Sequence, residues 1–386
     1  MSRFHSYLQT AEFVIDAYTG NEPFAAALKK YYAANKKHGG RDRRMISHLC
    51  YCYFRLGRAF ESVSRQERML TGLFLSALTP DDLLETVRPE WNDKVQLSVY
   101  EKLMFLSGEN EVGKLFPFTD ELSKGIDHEL FSLSHLQQPG LFLRIRPGYK
   151  EQIINRLKSA GIPFQQPATN IVLLPNGTKT EELFRINKEV VVQDYSSQQA
   201  GELLQLVEPL PKAVWDCCAA SGGKSIMAND RLPGIQLTVS DIRESILVNL
   251  KARFKEAGIG NYQSRVVDLS EGTVSDFEER FDLIIADVPC SGSGTWGRTP
   301  EYLTYFKKEQ IDVYSSLQNK IVTNALPALK KNGYLLYITC SVYAKENEQQ
   351  VALLAEAHQL RIIEQRLLTG YDKKADTMFA ALLTKP

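Results

Sequence analysis

The sequence predicts a multidomain protein that ends in an α/β domain, a largely parallel sheet with helices on both faces, over residues 201–386. A small α+β module is expected over 131–200 and an all-helical domain over 1–130. Three observations lead there. The 386 residues exceed the roughly 250 to 300 at which a single hydrophobic core stops growing. The apolar pattern changes from helical to mixed near residue 130. After "EVVVQDYSSQQAGELLQLVEP" short β-rich runs alternate with helical stretches.

The elements follow in order. Periodic apolar positions in "FESVSRQERMLTGLFLSAL" and "DKVQLSVYEKLMFLSGENEVGKLF" predict helices, broken by "TPDD", "RPEW" and "FPFTDE". "GLFLRIRPGY" reads as a strand, "KEQIINRLKSAG" as a helix closed by Gly161, and "IVLLPNGTKTEELFRI" as a strand, a turn and a further extended segment. In the last domain "AVWDCC", "IQLTVSD", "SRVVD", "FDLIIAD" and "GYLLYIT" are expected strands. "ESILVNLKARFKEAG" and "KEQIDVYSSLQNKIVTNALPALKKNG" are expected helices between them. Ligands of such a sheet bind at the carboxyl ends of its strands.

Composition narrows the class. Hydrophobic residues are 44% and charged residues 24% of the chain, ordinary globular usage that excludes a fibrous or disordered protein. No apolar run approaches the roughly 18 residues that span a bilayer. "MSRFHSYLQTAEFVIDAYTG" lacks a signal-peptide core, so a cytosolic protein without a membrane partner is expected. Cys50, Cys52, Cys217, Cys218, Cys290 and Cys340 lack the paired spacing of a zinc site, so no metal is expected and the thiols should be free. Cys50 and Cys52 point to different faces of a helix and are expected to be packed, as is Cys217 in the sheet core.

The net charge is +0, yet its distribution is uneven. From Lys29 to Arg58 the basic residues Lys29, Lys30, Lys36, Lys37, Arg41, Arg43, Arg44, Arg55 and Arg58 face the single acid Asp42. Tyr31, Tyr32, Tyr51, Tyr53 and Phe54 are interleaved with them. Such a segment either contacts RNA, cations on phosphates and rings on bases, or is a solvated helix face with its rings in the core.

The chemistry concentrates at the expected strand ends. In "VWDCCAASGGKS" a strand ends at Asp216, and a turn of small residues opens a helix near Lys224, which lets the backbone approach a ligand. A cation is unfavourable at the positive end of a helix, which points to a role for Lys224 in the pocket. Asp241, at the end of the next strand, can accept from both hydroxyls of a ribose. Asp268 and Asp287 end the third and fourth strands. Each acid alone suits a helix N-cap; four together favour a pocket for a nucleoside cofactor. The turn has only Gly222 and Gly223 and lacks the GxGxxG of a nicotinamide site.

Cys290 in "ADVPCSGSG" and Cys340 in "YLLYITCSV" each follow a strand within a small-residue turn. A thiolate beside a carboxyl suits a pyrimidine ring. Addition of the thiolate to carbon 6, with a proton given to ring nitrogen 3, makes carbon 5 enamine-like and able to attack an activated methyl group. A base must then remove the carbon 5 proton so that the thiolate can leave.

"DCCAASGGK", "DVPCSGSG", "RTPE" and "YITCSVYAKENE", in that order, resemble the motifs of the Sun/RsmB-type RNA cytosine-5 methyltransferases, which use S-adenosylmethionine. "LFLRIRPGY" and "VVVQDYSSQ" resemble the module before the catalytic domain of that family, and "GGRDRRMISHLCYCYFRLGR" is similar to later helices of its NusB-like domain. The resemblance implies a Rossmann-like methyltransferase fold and an RNA partner, ribosomal RNA or a pre-ribosomal particle. It implies that Cys340 attacks carbon 6, that Asp287 interacts with ring nitrogen 3, and that Cys290 helps to release the product, as the base or through it. Cofactor contacts would come from Cys218, Ala219, Ala220, Ser221, Gly222, Gly223 and Lys224, from Asp241 at the ribose, Asp268 near the adenine and Asp287 near the methionine end. Alternatives are a transfer RNA methyltransferase, a DNA cytosine-5 methyltransferase that attacks with Cys290, and a non-catalytic RNA-binding assembly factor.

Three departures from the family pattern bear on the site. Ser221 stands where proline is usual, "INKEV" replaces a glycine-bearing turn before "VQD", and "ADTMFAALL" replaces a "DGFF"-like stretch, with Phe379 available to the core. Trp296 and Arg298 in "GTWGRTPE" suit either an RNA contact or a structural role.

Overall fold

The computed structural model describes residues 3–106 and 109–386, with side chains from 111 onward in the second stretch. The chain forms two compact units. The first comprises Met1–Leu122, Ile126–Pro139 and Thr295–Lys308; the second comprises Ser123–Gly125, Gly140–Gly294 and Glu309–Pro386.

The first unit is helical, with long helices at Arg3–Ala17, Phe24–Ala34, Gly40–Arg55 and Arg65–Ser76. Ser64 starts the last of these by accepting the Glu67 N–H, the N-cap bond that satisfies an otherwise orphaned donor. The stretch "DKVQLSVYEKLMFLSGENEVGKLF", expected to be helical, forms an α-helix over Val99–Phe105 and a 3-10 segment at Glu109–Lys114; Ser107 and Gly108 lie outside the described residues. Residues 295–308, within the span expected to belong to the C-terminal domain, pack in this unit instead. The reason is apolar: Trp296 is buried against Phe116, Tyr302 and Phe306. Glu301 accepts the Phe24 N–H at 3.0 Å, and Arg55 donates to the carbonyls of His135 and Gly297 at 2.8 and 2.9 Å.

The second unit holds two sheets. Strands β1 (Leu141–Ile145), β2 (Gln165–Ala168), β3 (Ile171–Leu174) and β4 (Val190–Val192) form an antiparallel sheet in the order β2-β3-β1-β4. Ile153 and Leu157 of helix Lys150–Ser159 pack on Leu143, Val172 and Val190. The strands β5 (Ala213–Asp216), β6 (Gln236–Asp241), β7 (Tyr262–Val266), β8 (Phe281–Asp287), β9 (Leu329–Thr339), β10 (Arg361–Leu368) and β11 (Met378–Thr384) form the larger sheet. Its order is β10-β11-β9-β8-β5-β6-β7, parallel from β9 to β7, with β11 antiparallel between β9 and β10.

Alternation along the central strands dictates the two helical layers. Val214, Ile285 and Ile338 face one core with Ile226, Leu250 and Phe254. Trp215, Ile284 and Tyr337 face the other with Ile321, Val322 and Leu354. Helices Gly223–Arg231 and Glu244–Ala257 thus cover one face, and Glu309–Ala325 and Glu348–His358 the other. Phe379 is buried in the second core, so β11 fills the place of the missing aromatic stretch. This is the expected Rossmann-like layout, with β5, β6 and β8 ending in Asp216, Asp241 and Asp287. β7 departs from expectation: it stops at Val266, and Asp268 lies in the following turn, where it accepts from the Ser270 N–H and hydroxyl.

Candidate active site

The turn after β5 is shaped by backbone that few residues adopt. Ala220 has φ +44° and Gly222 φ +84°, left-handed values that glycine tolerates and alanine adopts at a cost. A Cβ on Gly222 would lie 2.8 Å from the Phe254 ring and 3.0 Å from Leu250, so only glycine fits against helix Glu244–Ala257. Asp241 Oδ2 accepts the Ala220 N–H at 3.0 Å, and its Oδ1 accepts the Arg243 N–H at 2.9 Å and Nε at 3.1 Å. The Ala219 N–H is taken by the Ser240 carbonyl. Ser221 has no proline ring to stiffen it and is instead tied by its hydroxyl and carbonyl to Arg253, at 2.8 and 2.9 Å.

Lys224 leaves this turn inward. It is buried, and its Nζ donates to Asp287 Oδ2 at 3.1 Å and to Ser197 Oγ at 2.8 Å. Burial disfavours its charge, but Asp287 and Cys340 outweigh that and raise its pKa above the ordinary lysine range. Lys224 is therefore a fixed cation. Asp216 beside it is fully buried; Oδ2 takes the Ser225 hydroxyl and Oδ1 has no partner. Burial pushes its carboxyl up to about 7, opposed by the Ser225 bond and aided by the charge of Asp287.

The two thiol loops meet at the ends of β8 and β9. The Cys340 N–H donates to Cys290 Sγ at 3.3 Å. The Cys340 contact and then burial push the Cys290 thiol well above its ordinary range. The loops are joined by groups that the sequence motifs do not single out. Buried Glu346 accepts the Ser291 N–H at 2.8 Å, the Ser341 hydroxyl at 2.7 Å and Gln318 Nε2 at 3.1 Å. Ser293 Oγ accepts the Val342 N–H at 2.9 Å, and the Gly294 N–H donates to the Cys340 carbonyl at 2.9 Å. "KENE" after "TCSV" is the only signal of Glu346, and Gln318 has none, because it enters from a helix distant in the chain.

Other expected residues fall into place elsewhere. Cys50, Cys52 and Cys217 are buried, and among the described residues no group of metal-ligating side chains occurs. In the basic segment Tyr32 and Phe54 are buried, which overturns base stacking on those two rings, and Tyr31, Tyr51 and Tyr53 pack half-buried against the same core. Arg55 is also buried as a carbonyl clamp. Lys29, Lys36, Lys37, Arg41, Arg44 and Arg58 remain exposed. Lys29, Lys36 and Arg43 line a surface cavity of about 570 Å³. Trp296 is structural, and Arg298 is exposed.

A nucleoside cofactor fits these residues. The Gly222 cradle brings bare backbone to the strand ends, Asp216 leaves one buried carboxylate oxygen unpaired, and the Arg243 side chain on Asp241 is 59% exposed and displaceable by a ribose diol.

Residues 203–381 match the family model described as 16S rRNA methyltransferase RsmB/F. The chain is 31% identical over 172 residues to "Ribosomal RNA small subunit methyltransferase B" of Yersinia pseudotuberculosis and of Yersinia pestis, covering 44% of this chain and 39% of each relative. It thus spans about two fifths of the length of those relatives. The crystal structure of PH0851 is similar in fold, with TM-score 0.70 and 20% identity over 98% of both chains. NSun6 from Pyrococcus horikoshii with SFG has TM-score 0.57 and 14% identity over 68% of this chain and 96% of its own. S-adenosylmethionine is the cofactor that goes with this family and fold. With their Gly222 cradle and acid-ended strands, residues 203–381 thus resemble the 16S rRNA methyltransferases RsmB/F.

Proposed function

We propose that this protein is an RNA cytosine-5 methyltransferase of small-subunit ribosomal RNA, working in the cytoplasm on RNA or a pre-ribosomal particle. The observation that carries the reading is the meeting of the Cys290 and Cys340 loops, 3.3 Å from backbone N to sulfur, with Cys340 near enough to act on the charge of Lys224, which pairs with Asp287. S-adenosylmethionine, when bound, would supply an electrophilic methyl group carried on sulfur. Asp241 and the turn Cys218–Lys224 would hold it, with Asp268 toward the adenine. The target cytosine is turned out of its stack into the pocket.

The Cys340 thiolate adds to carbon 6, and ring nitrogen 3 takes a proton that the Asp287 carboxylate has first picked up from solvent as the cytosine binds beside it. The carboxylate left behind is held by Lys224 Nζ at 3.1 Å. The displaced electron pair makes carbon 5 the nucleophile that takes the methyl group. Cys290, as the base or through it, removes the carbon 5 proton; the double bond re-forms, Cys340 leaves with its bonding pair and nitrogen 3 returns its proton. The exposed cations of the helical unit and the α+β module are the proposed RNA contacts.

Bisulfite sequencing of total ribosomal and transfer RNA, from cells with and without the gene and with Cys340→Ala complementation, tests the reading. One ribosomal cytosine is expected to lose its mark and not regain it with the variant. Loss confined to transfer RNA would move the substrate, and no change at any site would favour the non-catalytic RNA-binding alternative.

A further inference from the structure

We infer that Arg253 is a positioning residue that sets the affinity of the cofactor turn by clamping Ser221 to the α+β module. The inference rests on the S-adenosylmethionine reading of that turn. The turn needs an external hold: Ala220 is in left-handed backbone at φ +44°, a conformation that persists only when its surroundings over-determine it. Leu250 and Phe254 press on Gly222 from helix Glu244–Ala257, leaving no room for a Cβ. Arg253, on the same helix, adds the polar hold: Nη1 donates to the Ser221 carbonyl at 2.9 Å and hydroxyl at 2.8 Å.

The guanidinium is itself fixed from its other side. Its Nε donates to Asn187 Oδ1 at 3.0 Å, and Asn187 Nδ2 donates to Glu256 Oε2 at 2.7 Å. Asn187 sits at φ +62° in the "INKEV" turn, a conformation asparagine tolerates better than most side chains. Arg146 donates to the Asn187 carbonyl at 2.8 Å and to the Ala257 carbonyl at 2.7 Å, and pairs with Asp230 through Nη2 at 2.7 Å. A guanidinium whose donors are aimed in advance loses little entropy per bond. The Asn187 turn therefore reaches the cofactor turn through one rigid side chain, and the backbone of 219–222 is held in one geometry before ligand arrives.

The test uses the full-length protein and its Arg253→Met, Ser221→Ala and double variants. Calorimetry gives the dissociation constant of S-adenosylmethionine, and hydrogen exchange gives the opening of amides 219–222 without ligand. Arg253→Met is expected to weaken binding about tenfold and Ser221→Ala about threefold. The double variant should match Arg253→Met, because both changes remove the same contact. Exchange at amides 219–222 should quicken in Arg253→Met while that of the β8 core amides stays slow. Wild-type affinity in Arg253→Met, or effects that multiply in the double variant, would overturn the clamp and leave the cofactor reading intact. Absence of binding by the wild type itself would overturn both.

Discussion

Replacing Glu346 separates holding the thiol loops together from merely filling space. Its two carboxyl oxygens receive three donors: the Ser291 N–H and Gln318 Nε2 on Oε2, and the Ser341 hydroxyl on Oε1. Glutamine at this position keeps one oxygen for the two obligate donors, while its NH₂ donates to the Ser341 hydroxyl, which can turn to accept. This removes the charge-assisted part of the bonds, about 1 kcal/mol. Alanine removes the acceptor of all three donors at a fully buried position, although Gln318 Nε2 keeps the Pro289 carbonyl at 3.0 Å and the Ser341 hydroxyl has Ser293 Oγ at 3.3 Å. At about 1–3 kcal/mol for each unsatisfied group, partly relieved by relaxation, the cost is about 3–5 kcal/mol. Guanidinium denaturation followed by tryptophan fluorescence measures these costs. Trapping on fluorocytosine RNA, without denaturant and at a temperature where each variant is folded, measures loop geometry; a displacement near 1 Å predicts a rate loss of about a hundredfold for Glu346→Ala. Equal damage from glutamine and alanine, or alanine as stable and as fast as wild type, would refute the reasoning.

Further predictions concern the same region and the basic surface. In Gly294→Ala the new Cβ would meet the Thr377 carbonyl at 1.8 Å and the Cys340 carbonyl at 3.1 Å, so overpacking of about 3 kcal/mol and loss of methyl transfer are expected, read by melting temperature and a filter assay. Asp216, raised to about 7 by burial, binds its proton more tightly folded than unfolded. Its contribution is therefore present at acid pH and is lost as pH rises from about 4 through 7. Subtracting Asp216→Asn from wild-type stability across that window should reveal the falling slope, and a flat difference would contradict it. Charge reversal at exposed Arg41 and Arg44 should flatten the salt dependence of RNA affinity by about 0.7–0.9 for each phosphate no longer neutralised. An unchanged slope would assign both to a solvated face.

Much of the large sheet was legible because its strands are apolar runs bounded by turn residues, and because buried acids at strand ends stand out. Asp216, Asp241, Asp287, Cys290 and Cys340 could be placed from that pattern. The Lys224–Asp287 pair was not, since no spacing rule says which strand, far off in the chain, will lie beside β5 and bring its end to this helix start. Glu346 and Gln318 were hidden for the same reason: their partners lie on other elements and meet only after folding. The Lys29–Arg58 segment shows the limit of composition. Its rings and cations alternate in sequence, but the helical period sends Tyr32 and Phe54 inward and Lys36, Arg41 and Arg44 outward. The absence of proline at Ser221 suggests a looser turn, and the Arg253 bonds that hold it lie in a helix whose sequence shows only ordinary amphipathicity.

The central claim, that Cys340 attacks the base while Cys290 serves release, is tested most directly by incubating fluorocytosine-bearing ribosomal RNA and S-adenosylmethionine with wild type, Cys340→Ala and Cys290→Ala, and resolving covalent complexes on denaturing gels. The account predicts a protein–RNA adduct with wild type and Cys290→Ala and none with Cys340→Ala. An adduct that persists in Cys340→Ala and vanishes in Cys290→Ala would contradict it and give the attack to the other thiol.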